Sequence, residues 1–126
     1  AALPLLESHE GTARVLVLST EYVLGAPPVK IAPYVAAKAA LTAYTRVLAQ
    51  EWLDRGVRVH ILAPGMTKSA LTAELPDMYL EQVAEAMPEK RLTSAEDVAG
   101  TAAFLMSEAG DVLYGTVVPV SRAQRK

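Results

Sequence analysis

The sequence predicts an α/β domain: a parallel sheet with helices on its faces. Three observations carry that reading. Three short runs, "RVLVLS" (14–19), "VRVHILAP" (57–64) and "YGTVVPV" (114–120), are apolar almost throughout. The segments between them are long and partly helical in pattern, long enough for crossovers rather than hairpins. Strands apolar on both sides and joined by helical crossovers belong to parallel sheets covered on both faces. The third observation is the bulk composition, 52% apolar with 21% charged residues, which is that of a packed domain and not a disordered chain.

The elements follow in order. "AALPLLESHEG" reads as the end of a helix, with Leu3, Leu5 and Leu6 apolar and Gly11 as its stop. Residues 14–19 then form a short strand expected to be buried on both faces. Gly25, Pro27, Pro28 and Pro33 punctuate a loop. From about residue 33 to 55 a helix is expected, with Pro33 suited to its first position and Gly56 as its terminator. Ala36, Ala37, Ala39, Ala40 and Ala43 favour helix and permit close backbone approach, while Leu41, Tyr44, Leu48 and Trp52 recur at helical spacing. Residues 57–64 form a second buried strand. A weaker helical stretch follows, broken at Pro76 and Pro88. "TSAEDVAGTAAFLMSE" opens with Thr93 or Ser94 ahead of Glu96 and Asp97, a capping signature for a helix to about Ser107. Residues 114–120 are the last strand.

Several function classes fall away. With 126 residues, one domain and one core are available. A net charge of −2 offers no electrostatic footprint for nucleic acid, and the basic ending "SRAQRK" reads as a solvated terminus. There is no cysteine, so disulfides and thiolate metal sites are excluded. His9 and His60 are far apart with no ligand spacing, so no metal site is expected. No apolar run approaches the ~20 residues needed to cross a bilayer, and the expectation is a soluble, cytoplasmic chain without a membrane partner.

In open parallel sheets, ligands bind beyond the carboxyl ends of the strands. The first two such ends here hold Ser19–Thr20 and Pro64–Gly65. The helix that follows the first loop carries Tyr34 and Lys38, four residues apart and therefore on one face, about one turn from each other. A tyrosine hydroxyl, with an ordinary pKa near ~10, is a poor acid or base at neutral pH, and a neighbouring ammonium favours its phenolate. Taken alone the pair is more simply packing and a solvated charge. Its setting between two such strand ends argues for chemistry.

The ordered set "VLVLST", "YVAAK" and "VRVHILAPGMTKS", followed by "LTSAEDVAGTAAFLMSEAGDVLYGTVVPV", resembles the C-terminal half of the short-chain dehydrogenase/reductase family, and in particular its 3-oxoacyl reductase-like members. The match covers nearly the whole chain. The resemblance implies the C-terminal part of a doubly wound, Rossmann-like parallel sheet with flanking helices, and NADP or NAD as cofactor, with NADPH favoured. It implies that Tyr34 transfers the proton to a carbonyl and that Lys38 tunes it and holds the nicotinamide ribose, while the cofactor supplies the hydride. The family's catalytic serine is expected at Thr20, with Ser19 second, and a strict count back from Tyr34 lands on Glu21. The competing reading is that both hydroxyls merely satisfy backbone at a strand end. Pro64 and Gly65 resemble the tight exit beside the nicotinamide, the backbone of Thr67 would bond its carboxamide, and Ser69 would lie near the phosphates. Residues of about 66–92 correspond to the variable substrate lid, where Met66, Leu71, Leu75, Met78, Tyr79 and Met87 either line an apolar pocket or pack the lid onto the body. His60 stands where the family often has asparagine and reads as a hydrogen-bonded structural residue.

The family's glycine-rich cofactor loop does not occur in the sequence, there is no asparagine, and "VVPVSRAQ" lacks the Asp-Gly-Gly that many relatives carry. The whole chain, 1–126, is therefore expected to be the C-terminal catalytic half of one Rossmann-type domain. Its expected partners are an N-terminal half in cis or in trans, a second copy in a homo-oligomer, and a small-molecule ketone such as a 3-oxoacyl thioester. The alternative is a catalytically degenerate member serving as an assembly subunit.

Overall fold

A computed structural model describes residues 1–123. Helix α1 (Leu3–Glu7) leads through Gly11, in the left-handed region at φ 96°, into strand β1 (Ala13–Leu18). Helix α2 (Ala32–Glu51) crosses to strand β2 (Val57–Pro64). Helices α3 (Asp77–Ala86) and α4 (Ala95–Leu105) precede strand β3 (Val117–Val120). Short 3-10 turns occupy Glu21–Val23, Leu53–Arg55, Ala70–Thr72 and Glu108–Leu113. The sheet order is β1-β2-β3, parallel throughout, with Ala13 opposite Val57, Leu18 opposite Leu62 and Ile61 opposite Val117.

The two faces of the sheet follow from alternation along the strands. Ala13, Val57 and Val59 form a buried cluster with Ala49 of α2, flanked by Leu3, Leu6, Val15, Trp52 and Tyr114. That face belongs to α1 and α2. Arg14 and His60 point to the opposite face, toward Asp111 of the 3-10 turn after α4. The central strand is almost wholly buried, from Val57 to Ala63 with Arg58 part-buried.

Three expectations need correction. β1 is not buried on both faces: only Ala13 is buried, and Leu18 is half exposed. It pairs with β2 on one side, and its other edge carries no strand among the described residues. The last strand begins at Val117 and not at residue 114, because Gly115 sits in the left-handed region at φ 70° and its N–H bonds the Val59 carbonyl at 2.8 Å. In α2 the face against the sheet is not the Leu41, Tyr44, Leu48 and Trp52 stripe. Thr42, Thr45 and Ala49 are buried, whereas Tyr44 is 63% exposed and only Trp52 of the four reaches the core cluster. Small residues at the contact let the helix lie close. The two threonines satisfy their hydroxyls by donating back to Lys38 O and Leu41 O, at 2.7 Å each.

The helix ends obey the local chemistry. Pro33 lies in the first turn of α2, and Gly56, at φ 74°, closes the turn after it. Ser94 and Asp97 form a reciprocal capping box on α4, with Asp97 N–H donating to the Ser94 hydroxyl at 3.1 Å and Ser94 N–H to the Asp97 carboxylate at 2.9 Å.

Candidate active site

The carboxyl end of β1 leads into Ser19 and Thr20, and the parallel register sets Leu18 beside Leu62, two residues before Pro64. Ser19 N–H donates to Leu62 O at 2.7 Å, which extends the ladder by one bond and fixes both strand exits. Helix α2 starts above this end. Its Lys38 ammonium donates to Leu18 O at 2.8 Å. This bond brings the helix lysine to the strand end although the two lie twenty positions apart in the chain. An ammonium has three donors, so two remain for ligand oxygens. Tyr34 lies one turn earlier on α2 and is 38% exposed.

Both candidate hydroxyl residues are buried, Ser19 at 5% and Thr20 at 3% exposure, and they differ in their partners. Ser19 is buried, and its hydroxyl lies 2.5 Å from that of Thr42, which in turn donates to Lys38 O at 2.7 Å. It is committed to a hydroxyl ladder that ties the strand exit to α2. Thr20 is extended and caps the 3-10 turn Glu21–Val23, its hydroxyl accepting from Tyr22 N–H at a long 3.5 Å. Glu21 is buried in the first turn of that helix. Three consecutive polar residues thus pass under α2 at the strand end.

The second exit is a braced loop. Gly65 is buried, and its N–H donates to Val120 O at 2.9 Å, joining the exits of β2 and β3. The Thr67 hydroxyl donates to Gly65 O at 2.9 Å. Thr72 organises the next turn: its hydroxyl bonds Thr67 O at 2.9 Å and accepts from Ser69 N–H at 2.9 Å. Ser69 itself is exposed at the entry to the turn Ala70–Thr72. The segment after Met66 returns to the body where Thr93 N–H bonds Met66 O at 3.2 Å, so both its ends meet beside Thr67. Of the apolar residues singled out in that segment from sequence, Met87 is buried, whereas Leu71 and Met78 are 79% and 81% exposed.

Two further charged groups depart from expectation. His60 is fully buried, and neither ring nitrogen has a hydrogen-bond partner, contrary to the satisfied residue expected. Its Nε2 stands 3.6 Å from Asp111, whose carboxylate is held by Arg14 at 2.7 and 2.8 Å. Burial lowers the His60 pKa, and the neighbouring Arg14 and Arg58 act in the same direction, while Asp111 opposes them. Hydrogen bonding to Arg14 holds the Asp111 carboxyl below its ordinary range. The ending is not simply a solvated terminus either. Arg122 donates through Nε and Nη2 to Asp97 at 2.8 and 2.5 Å and through Nη1 to Glu89 at 2.6 Å. The Lys126 end of "SRAQRK", residues 124–126, lies outside the described residues.

Sequence reasoning missed Thr42 and Arg122. Thr42 had a signal, since it continues the Tyr34–Lys38 spacing by one more turn on the same face. Arg122 had none beyond its charge, because its partners lie 25 and 33 residues away.

A family model described as enoyl-(acyl carrier protein) reductase matches residues 1–122. The chain belongs to the short-chain dehydrogenase/reductase family. It is 39% identical over 88 residues to the 3-oxoacyl-(acyl-carrier-protein) reductase FabG of Pseudomonas aeruginosa, covering 70% of this chain and 36% of that protein. It is 32% identical over 122 residues to the 2,5-dichloro-2,5-cyclohexadiene-1,4-diol dehydrogenase LinX of Sphingobium indicum, covering 95% of this chain and 47% of that one. Among solved structures, the TT0495 protein of Thermus thermophilus superposes with a TM-score of 0.86 at 33% identity, over 98% of this chain and 52% of the other. The chain therefore spans about half the length of the relatives it matches or less. The α/β architecture and parallel sheet are those of short-chain dehydrogenases/reductases with the Rossmann fold.

Proposed function

We propose that this chain is the catalytic half of an NAD(P)-dependent carbonyl reductase of the short-chain family. Tyr34 transfers a proton to or from the substrate oxygen. The observation that carries this reading is the Lys38 ammonium bonded to the carboxyl end of β1, one helical turn from Tyr34. It supports convergence of the strand exit, the helix and the Pro64–Gly65 loop on one crevice.

The residues fit a nicotinamide nucleotide. Lys38 keeps two donors for ribose hydroxyls, and Tyr34 is open to a partner from outside this chain. Pro64, Gly65, Thr67 and Ser69 would line the nicotinamide end and the approach to the phosphates. The cofactor, when bound, supplies the hydride, while the protein orients the carbonyl and moves the proton. As Tyr34 gives up its proton, the charge on its oxygen would develop one helical turn from the Lys38 ammonium. Thr20 is the hydroxyl we assign to the substrate carbonyl, because Ser19 is engaged with Thr42. A ketone such as a 3-oxoacyl thioester is the proposed substrate class, in keeping with the names of FabG and of the acetoacetyl-CoA reductase of Allochromatium vinosum, 31% identical over 90 residues. The N-terminal half that would complete the cofactor site comes in cis or in trans, and the open edge of β1 is where its sheet would continue.

Two observations favour the second reading, a degenerate assembly subunit. Ser19 is turned into the helix contact, and the strict family interval falls on buried Glu21. A direct assay separates the two. The protein completed with an N-terminal half is expected to bind NADPH or NADH and to oxidise it with a panel of ketones and 3-oxoacyl thioesters. Lys38→Met is expected to weaken nucleotide binding about tenfold, in line with loss of charge-assisted bonds to the ribose. Absence of both binding and turnover from the completed protein would leave the assembly reading.

A further inference from the structure

We infer that Arg122 is a positioning residue that latches the C-terminal arm of the lid to the start of α4. Its side chain is only 19% exposed, and its guanidinium meets two carboxylates from two different segments. Two of its nitrogens grip Asp97 in the first turn of α4, and a third reaches Glu89 at the end of the lid. Arg91 adds a second cation to the same pair, 3.2 Å from Glu89 and 3.7 Å from Asp97. An isolated surface ion pair contributes little, because two long side chains must be ordered in water. Here the fork is bidentate and Asp97 is already fixed by its cap on Ser94, so less is lost in forming each bond.

The backbone supports a specific role. Arg122 and Ala123 both lie in the left-handed region, at φ 46° and 56°, where a side chain crowds its own carbonyl. The chain accepts this at the point where Arg122 turns back over the body. Two residues earlier, Val120 O accepts from both ends of the lid base: from Gly65 N–H at 2.9 Å and from the Thr93 hydroxyl at 3.4 Å. The exit of β3 is therefore the common anchor of the Pro64–Thr67 loop and of the lid's return. Arg122 carries that anchor outward to Glu89. Without it the returning arm keeps only the Thr93 bond and the longer Arg91–Asp97 contact of 3.7 Å, and α3 and the exposed residues Leu71 and Met78 would swing on a longer tether.

The kinetic consequence rests on the reductase reading; the mechanical one does not. Limited chymotrypsin digestion of the protein under native conditions reads the lid directly, since Leu71 and Tyr79 are cleavable and unchanged by the variants. Arg122→Ala and Glu89→Gln are each expected to speed cleavage within residues 70–87 at least fivefold, at a temperature well below melting. Arg122→Lys, with one point charge for two carboxylates, is expected to restore part of the protection. In the completed reductase, Glu89→Gln is expected to raise KM for the carbonyl substrate several-fold, with kcat within twofold. If Arg122→Ala fails to fold, Glu89→Gln decides, because it leaves the Asp97 contacts in place. Cleavage of Glu89→Gln at the unmodified rate would overturn the inference, even in an active reductase. Protection lost as described upholds the latch, even if the completed protein reduces no ketone.

Discussion

Toward the amino end of the sheet, Arg14 and Asp111 are occupied with each other beside the buried ring of His60; at the carboxyl end, Lys38 and Tyr34 keep capacity to spare. Arg14 gives two donors to Asp111, and the buried imidazole of His60 lies against the same carboxylate. Lys38 spends one donor on Leu18 O, and Tyr34 is partly open. Both ends bury polar groups, yet one is closed by the Arg14–Asp111 pair beside unbonded His60 nitrogens, and the other is left open by the spare Lys38 donors. Perturbing the closed end should change stability with little effect on chemistry per folded molecule. Perturbing the open end should do the reverse.

The largest stability effect is expected at Gly110, in the turn that presents Asp111. A Cβ there would stand 2.3 Å from Phe104 O and 2.6 Å from Leu105 Cα, both backbone atoms that cannot step aside cheaply. Gly110→Ala is expected to cost roughly 3 kcal/mol in a denaturant melt, the upper end for overpacking. Turnover per folded molecule should stay unchanged. A smaller effect, which sharpens the comparison, is expected at Thr42. Thr42→Val removes the partner of the buried Ser19 hydroxyl and should cost about 1–2 kcal/mol. Unlike Gly110→Ala, it should also lower turnover a few-fold, because the strand exit is no longer tied to α2. Equal turnover in the two variants would dissolve the contrast.

The smallest effect is expected in the acid range. Burial lowers the pKa of His60 below its ordinary 6.5, so the unfolded chain takes up that proton more readily than the fold. Stability should thus fall as pH drops below about 6.5. A further loss should follow as Asp111, whose carboxyl is held below its ordinary 3.8 by Arg14, approaches protonation. His60→Leu is expected to remove the first loss and keep the second. A melting series from pH 7.5 to 5 that is identical in both proteins would show that His60 does not contribute it.

The fold was legible because its signals are local. The apolar runs at 57–64, the Pro33 entry, the Gly56 exit and the Ser94–Asp97 cap each declare an element without reference to the rest. The readings that failed depended on neighbours. "RVLVLS" is as apolar as a central strand, but burial is decided by what pairs with its edge. The apolar spacing of Leu41 and Tyr44 suggested the packed face of α2, yet a helix lying close to a sheet uses small residues there, and Thr42, Thr45 and Ala49 take the contact. At the site, Tyr34, Lys38 and the two strand exits could be assigned to one end of the sheet from topology alone. The choice between Ser19 and Thr20 could not be made from sequence, because the Ser19–Thr42 contact joins residues 23 apart. Arg122 was hidden for the same reason: its meaning lies in Asp97 and Glu89, distant in sequence.

The proton-transfer role proposed for Tyr34 is central, and one substitution tests it. Single-turnover oxidation of bound NAD(P)H by a ketone should be compared in the completed protein and its Tyr34→Phe variant, with nucleotide binding measured in the same samples. The expected result is a loss of about 10²–10⁴-fold in reduction, the usual contribution of a positioned acid, with nucleotide affinity unchanged. Reduction within about twofold of the unmodified protein would contradict that role and remove Tyr34 from the mechanism.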